Sequence, residues 1–304
     1  MRTALHLAIL LLFPPLLPGV INRVKAAFAG RRGPPVLQLY FDLWKLLRKG
    51  AVYSTTTTWI FRAGPVVTLA ALLVAALLLP LGGGLPAPAA FPGDVVLFAY
   101  LLGAARFATV LAALDTGSSF EGMGASREVT FAALAEPALF LSIAGLALAR
   151  GTLSWTSMFS GQMPAWHLYG PAFAMLIGAL ILVALAENSR IPFDDPNTHL
   201  ELTMVHEVMV LDHSGPDFAL ILYGASIKLF LLGAIIVRLA FPFEASIPAH
   251  VALFLAGMTV FAVVVGLVES TFARLRMNRI PQILIAASVF AALAMAVILI
   301  RVNA

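Results

Sequence analysis

QILIAASVFAALAMAVILIR, residues 282–301, runs nineteen positions without a charged side chain before it reaches Arg301. Coiled as a helix, a run of that length covers roughly 30 Å, the hydrocarbon thickness of a bilayer. Comparable runs lie near residues 3–21, 64–81, 94–114, 129–149, 171–187, 217–240 and 248–270. They are continuous blocks of Leu, Ala, Val and Ile rather than alternating ten-residue strands, so they predict helices and not a barrel. The chain is 61% hydrophobic and 11% charged, with a mean hydropathy of +0.97. Soluble proteins carry roughly 25% charged residues. The expected fold is therefore an all-α integral membrane protein, a single membrane domain of residues 1–304 with eight transmembrane helices.

The first run carries Pro14, Pro15 and Pro18 and is followed by Arg23, Lys25, Arg31 and Arg32, which favours a retained helix over a cleaved signal peptide. Alternate loops then divide the basic residues unequally. The segments 22–63, 115–128, 188–216 and 271–281 hold thirteen Lys and Arg; the other side holds Arg2, Arg150, Arg238 and Arg301. Cytoplasmic loops accumulate positive charge, so this bias places both termini outside. The net charge of +4 is accounted for by topology, and no nucleic-acid partner is needed. Zero cysteines exclude disulfides, thiolate metal sites and iron-sulfur clusters held by this chain.

The four cytoplasmic segments are polar and patterned, whereas the external ones are Gly-, Pro- and Ala-rich connectors. In LQLYFDLWKLLRK, residues 37–49, Leu39, Leu43, Leu46 and Leu47 share one side at helical spacing, with Lys45, Arg48 and Lys49 towards the other. An interfacial amphipathic helix is expected there, serving either as a surface anchor or as a seat for a peripheral partner. Residues 186–215, AENSRIPFDDPNTHLELTMVHEVMVLDHSG, hold six of the fifteen acidic residues and three of the six histidines. His199, His206 and His213 would share a helix face if the segment were helical. HEVMV has Val210 where a zinc motif needs its second histidine, so no metal site is expected.

Ionisable groups within or at the edge of the spans are costly and are functional candidates: Arg106, Glu128, Glu136, Glu187, Lys228 and Glu269. Glu128 and Glu136 are eight residues apart, hence about 80° around the helix and roughly 12 Å along it, which suits two stations on one side. Pro137 removes a backbone donor beside Glu136. Lys228, expected a turn or two below the cytoplasmic end of its helix, could pair with a carboxylate. Any of these residues could instead form a static ion pair that holds helices together.

Four blocks, RRGPPVLQLYFDLWKLLRKG, LDTGSSFEGMGASREVTFAALAEP, AENSRIPFDD with HLEL and DHSG, and ESTFARLRMNRIP, together resemble the membrane-arm subunit shared by respiratory complex I (subunit 1, or H) and formate-hydrogenlyase-type energy-converting hydrogenases. LDTGS followed by GASRE resembles the hydrogenase branch more closely. The third block keeps Pro192, Phe193 and Asp194, but Asn197, His199 and Glu201 stand where the complex I pattern has three glutamates.

The resemblance implies a cofactor-free subunit of an inner-membrane complex. Its partners would be soluble iron-sulfur and hydrogenase-like subunits, one of which could hold a nickel-iron centre, and antiporter-like membrane subunits. It places Glu128, Glu136 and Glu187 in a line of coupling acids and Asp194, Glu201 and Asp212 at loop positions near the quinone cavity or its remnant; all six are ion-coupling candidates, to which Glu207 and Lys228 are added from their positions. Docking of the redox arm falls to Arg31 and Arg32, with Arg274 and Arg276 in a similarly basic segment. Two alternatives remain open: a quinone headgroup enclosed by the acidic loop and the first cytoplasmic segment, or a stand-alone secondary transporter. Transporters of that kind often carry an internal repeat with broken helices, which this sequence lacks.

Overall fold

The structure is a computed structural model that describes residues 2–81, 85–194, 204–242 and 246–303, with the side chains of residues 162–164 left aside. Glu201, Asn197 and His199 therefore lie outside the described residues. Every regular element described is a helix, in the order α1 Arg2–Leu12, α2 Leu16–Phe28, α3 Gln38–Leu47, α4 Trp59–Leu78, α5 Asp94–Asp115, α6 Ser119–Arg150, α7 Trp155–Met158, α8 Gln162–Glu187, α9 His206–Met209, α10 Gly215–Ala240, α11 Ile247–Thr271 and α12 Ile280–Val302. Seven of these are long and apolar enough to cross a membrane, and α1 with α2 makes a further bent pair.

α10 is the centre. Of its apolar stretch 67% is covered, against 28% for α12, and it packs on α2, α3, α4, α8 and α11. α12 instead lies on α6 and α8, and α5 closes on α4. The predicted amphipathic helix exists as α3, seated on α10 and α2 with Phe41, Trp44 and Leu47 left exposed.

The first run is broken rather than straight, with a bend of 44° between α1 and α2. Pro14 and Pro15 have no N–H to give, and the Leu16 N–H turns to Phe13 O at 3.0 Å, so carbonyls at the end of α1 lose their helical partners. Tyrosines from two other helices satisfy them: Tyr223 of α10 donates to Leu11 O at 2.9 Å, and Tyr40 of α3 donates to Leu12 O. A sequence-visible helix breaker thus becomes a junction that fixes α3 against the bundle.

Residues 119–128, expected in a loop, are the opening turns of α6. Gly117, at φ +69, ends α5 and lets the chain reverse at once. The first part of the acidic loop is buried, with Ser189, Ile191, Phe193 and Asp194 all covered. A buried loop must settle its own backbone polar groups. Arg190 N–H bonds Leu185 O at 2.9 Å, Phe193 N–H bonds Arg190 O at 2.8 Å, and Leu275 N–H bonds Pro192 O at 3.0 Å.

Candidate functional site: a buried ion network

Arg106 projects from α5 into the space between α6 and α8. Its guanidinium donates to Glu136 and, at 2.5 Å, to Glu187, while its Nε stands 3.8 Å from Glu128. Glu187 holds Lys228 of α10 through its second oxygen at 2.8 Å. Four helices therefore contribute to one network of three carboxylates and two cations. Lys228 lies thirteen residues into α10, roughly 20 Å along its axis, deeper than the turn or two expected. It can meet Glu187, the last residue of α8, only because the chain after α8 enters the bundle.

The two carboxylates of α6 share Arg106 as their spacing requires, but their surroundings differ. The Glu128 side chain is 13% exposed and that of Glu136 is 37% exposed, on the flank where Pro137 releases the Ala133 carbonyl from helix bonding. A cavity of about 90 Å³, large enough for water, is lined by Arg106, Glu128, Glu187, His206 and Lys228. A second of about 150 Å³ is lined by Leu39, Arg190, Asp194, His206 and Glu207. Arg190 and His206 border both, so the two cavities adjoin at these side chains.

Asp194 lies outside this network. One of its carboxylate oxygens takes the Arg274 guanidinium at 2.7 Å, and the other accepts the backbone N–H groups of Val205 (3.1 Å) and His206 (3.3 Å). Glu269, fully enclosed, is held between Lys25 at 2.7 Å and Arg190 at 3.2 Å. Lys25 and Arg190 entered the sequence reading only as topology charges, and nothing in their spacing reveals a shared partner. Glu207 borders the larger cavity and Asp212 is exposed, its N–H facing Glu121 at 3.4 Å. Arg31, Arg32 and Arg276 are exposed at the basic end, whereas Arg274 is taken up by Asp194.

The shared helix face for the histidines is not formed by the two that are described. α9 spans only His206–Met209, and His213 lies beyond it, stacked on Phe61 with ring centroids 3.9 Å apart. Burial lowers the His213 pKa from its ordinary 6.5, opposed by the nearby Asp217 and Asp212 carboxylates. Two residues on, Gly215 sits at φ +56 with its Cα against Gly50; an added Cβ would stand 2.6 Å from Gly50 O. Only glycine permits both the conformation and this close approach of DHSG to the end of the first basic block. Among the described residues no group of three or more His, Cys, Asp or Glu converges as a metal-holding set.

A family model described as NADH dehydrogenase matches residues 1–300. Hydrogenase-4 component C of Escherichia coli (strain K12) is 34% identical over 276 residues, covering 88% of this chain and 85% of that protein. Formate hydrogenlyase subunit 4 of the same organism is 32% identical over 291 residues, covering 92% of each. A chain of the membrane-bound sulfane sulfur reductase, an archaeal respiratory membrane complex, superposes with a TM-score of 0.84 over 98% of both chains at 20% identity, which establishes a shared fold.

Proposed function

We propose, from the premise that this chain belongs to the NADH dehydrogenase family, that it is the cofactor-free membrane anchor and ion-coupling subunit of a hydrogenase-type oxidoreductase complex. The bent α1–α2 pair serves as the first of eight spans, both termini lie outside, and the basic end faces the cytoplasm. Exposed Arg31, Arg32 and Arg276 receive a soluble arm that carries the iron-sulfur clusters and any nickel-iron centre. Antiporter-like membrane subunits receive the output.

The observation that carries this reading is the unequal network in which Glu128, Glu136 and Glu187 share Arg106 and Lys228. With three acids to two bases it keeps a surplus negative charge in a low-dielectric setting, so binding a proton or a sodium ion at any one carboxylate redistributes Arg106 among the others. Electron transfer beside the basic end acts through Asp194 and His206, which border the cavities leading to Glu187. Glu136, partly open on the flank of α6, passes the change onward. Glu136→Gln keeps size and removes the titratable site. In the assembled complex within sealed vesicles, the variant should transfer electrons but build no ion gradient; wild-type pumping would sink the proposal.

One observation favours a second reading. The 150 Å³ cavity lies between Leu39 of the first basic segment and residues 188–190, 194, 206 and 207 of the acidic loop, where a quinone headgroup would be enclosed. Photolabelling with an azidoquinone should leave these residues unmodified if the chain is a hydrogenase coupler, and label them if it is a quinone module.

A further inference from the structure

The end of the bundle opposite the basic loops holds a polar side chain that the coupling network does not use. Three arginines there grip backbone carbonyls of residues 159–168. Arg150 donates to Gly161 O at 3.2 Å and to Ser160 O, Arg301 donates to Leu168 O, and Arg238 donates to Phe159 O at 2.8 Å. Arg301 remains exposed, and Arg150 is half-buried with an Nε that likewise has no hydrogen-bond partner. Arg238 differs in that the whole side chain is buried: it is only 8% exposed and its guanidinium lies over the Phe159 ring at 5.6 Å, while its Nε, too, has no hydrogen-bond partner. None of the described carboxylates pairs with it. A buried, incompletely satisfied guanidinium is costly unless something anionic completes it.

A cavity of about 170 Å³ adjoins it, lined by Arg238, His250, Leu253, Phe254, Gly257 and Val260 among others. His250, Leu253, Gly257 and Val260 follow a single stripe of α11, and ten residues of helix carry that stripe roughly 15 Å towards the middle of the bundle. Leu253 is 45% and Val260 52% exposed, so the groove is open at these two positions above the buried His250, Phe254 and Gly257. Gly257 lets α10 approach, since a Cβ there would stand 2.7 Å from the Val237 side chain. The result is a buried cation at the end of a span beside a narrow apolar trough leading inward. That pairing matches one anionic phospholipid, its phosphate at Arg238 and an acyl chain along α11.

We infer that Arg238 and the α10–α11 groove form a binding site for an anionic phospholipid. The charge beside the trough selects against a purely apolar partner helix. The trough below it selects against free phosphate, which has nothing to place there.

The full-length protein, purified in detergent, is tested by native mass spectrometry with added phosphatidylglycerol, with chain-matched phosphatidylcholine, and with inorganic phosphate. Phosphatidylglycerol should be retained with roughly tenfold preference over phosphatidylcholine, the discrimination of one hydrogen bond to a charged group, and phosphate should not be retained. Arg238→Gln should abolish the preference. Because that change also removes the bond to Phe159 O, Leu253→Trp is the companion: it fills the trough, leaves Arg238 in place, and should reduce retention of both lipids while the protein stays monodisperse. Equal retention of the two lipids by the wild type would overturn the site. So would a preference that survives both variants, or retention of phosphate alone. A photocrosslinking residue at position 253 that captures a partner polypeptide rather than lipid in the intact complex would also overturn it.

Discussion

The Arg106 network and the Glu269–Asp194 contacts use the same residue types in opposite proportion. In the first, Glu128, Glu136 and Glu187 outnumber Arg106 and Lys228; in the second, Lys25, Arg190 and Arg274 outnumber Glu269 and Asp194. The first lines a cavity and reaches a partly open carboxylate. In the second, each carboxylate is fixed by two or more donors. Glu269, enclosed by Lys25 and Arg190, ties α2 and α11 to the buried loop as a brace. In the first, one guanidinium is divided among three carboxylates, which is the arrangement the proposed coupling role rests on.

The largest effect should come from Arg106→Leu, which leaves Glu128 and Glu136 without their cation and Glu187 with Lys228 alone. A loss of about 3–5 kcal/mol or failure to accumulate in the membrane is expected, read by thermal stability and immunoblot. Glu269→Gln tests the other side. Two cations lose their partner, so stability should fall by about 3 kcal/mol, while pumping per assembled complex stays at wild-type level. Should pumping collapse with stability intact, the distinction between brace and coupler would be gone.

Tyr223→Phe removes one bond to a carbonyl released by the proline pair and should cost about 1 kcal/mol. Hydrogen exchange should localise the loosening to α1 and α3. The smallest effect concerns pH. Burial lowers the His213 pKa in the folded protein, so the unfolded chain binds more protons below 6.5 and stability must fall as pH drops through that value. The neighbouring Asp212 and Asp217 carboxylates moderate the fall. Faster amide exchange near residue 213 at pH 5.5 than at pH 7.5, after correction for intrinsic rates, would register it; a flat difference would place the His213 proton elsewhere.

Much of the site was legible before any coordinates. Arg106, Glu128, Glu136, Glu187 and Lys228 stand out because a charge within an apolar run has no cheap place to go. Eight-residue spacing suffices to put Glu128 and Glu136 within reach of a common partner. Asp194 and Glu269 are equally conspicuous as acids, yet their partners Lys25, Arg190 and Arg274 look like ordinary inside-anchoring charges. The depth of Lys228 follows from counting along the run 217–240, which puts it about three turns in; what the run does not contain is that the end of α8 meets it there. The tyrosines that cap α1 carry no signal of their own, because Tyr40 and Tyr223 differ from other tyrosines only in what lies opposite them.

The apolar runs determined by themselves that this chain is a helical membrane protein, since hydrocarbon leaves the backbone no other economical way to bond within a segment. The first run is expected as one retained helix, and the 44° bend at Pro14–Pro15, with the tyrosines that cap it, belongs to the tertiary structure. Tertiary structure alone decided which cation each acid meets. Ion pairing between helices depends on side chains that approach within about 4 Å, and neither sequence distance nor helical period contains that information.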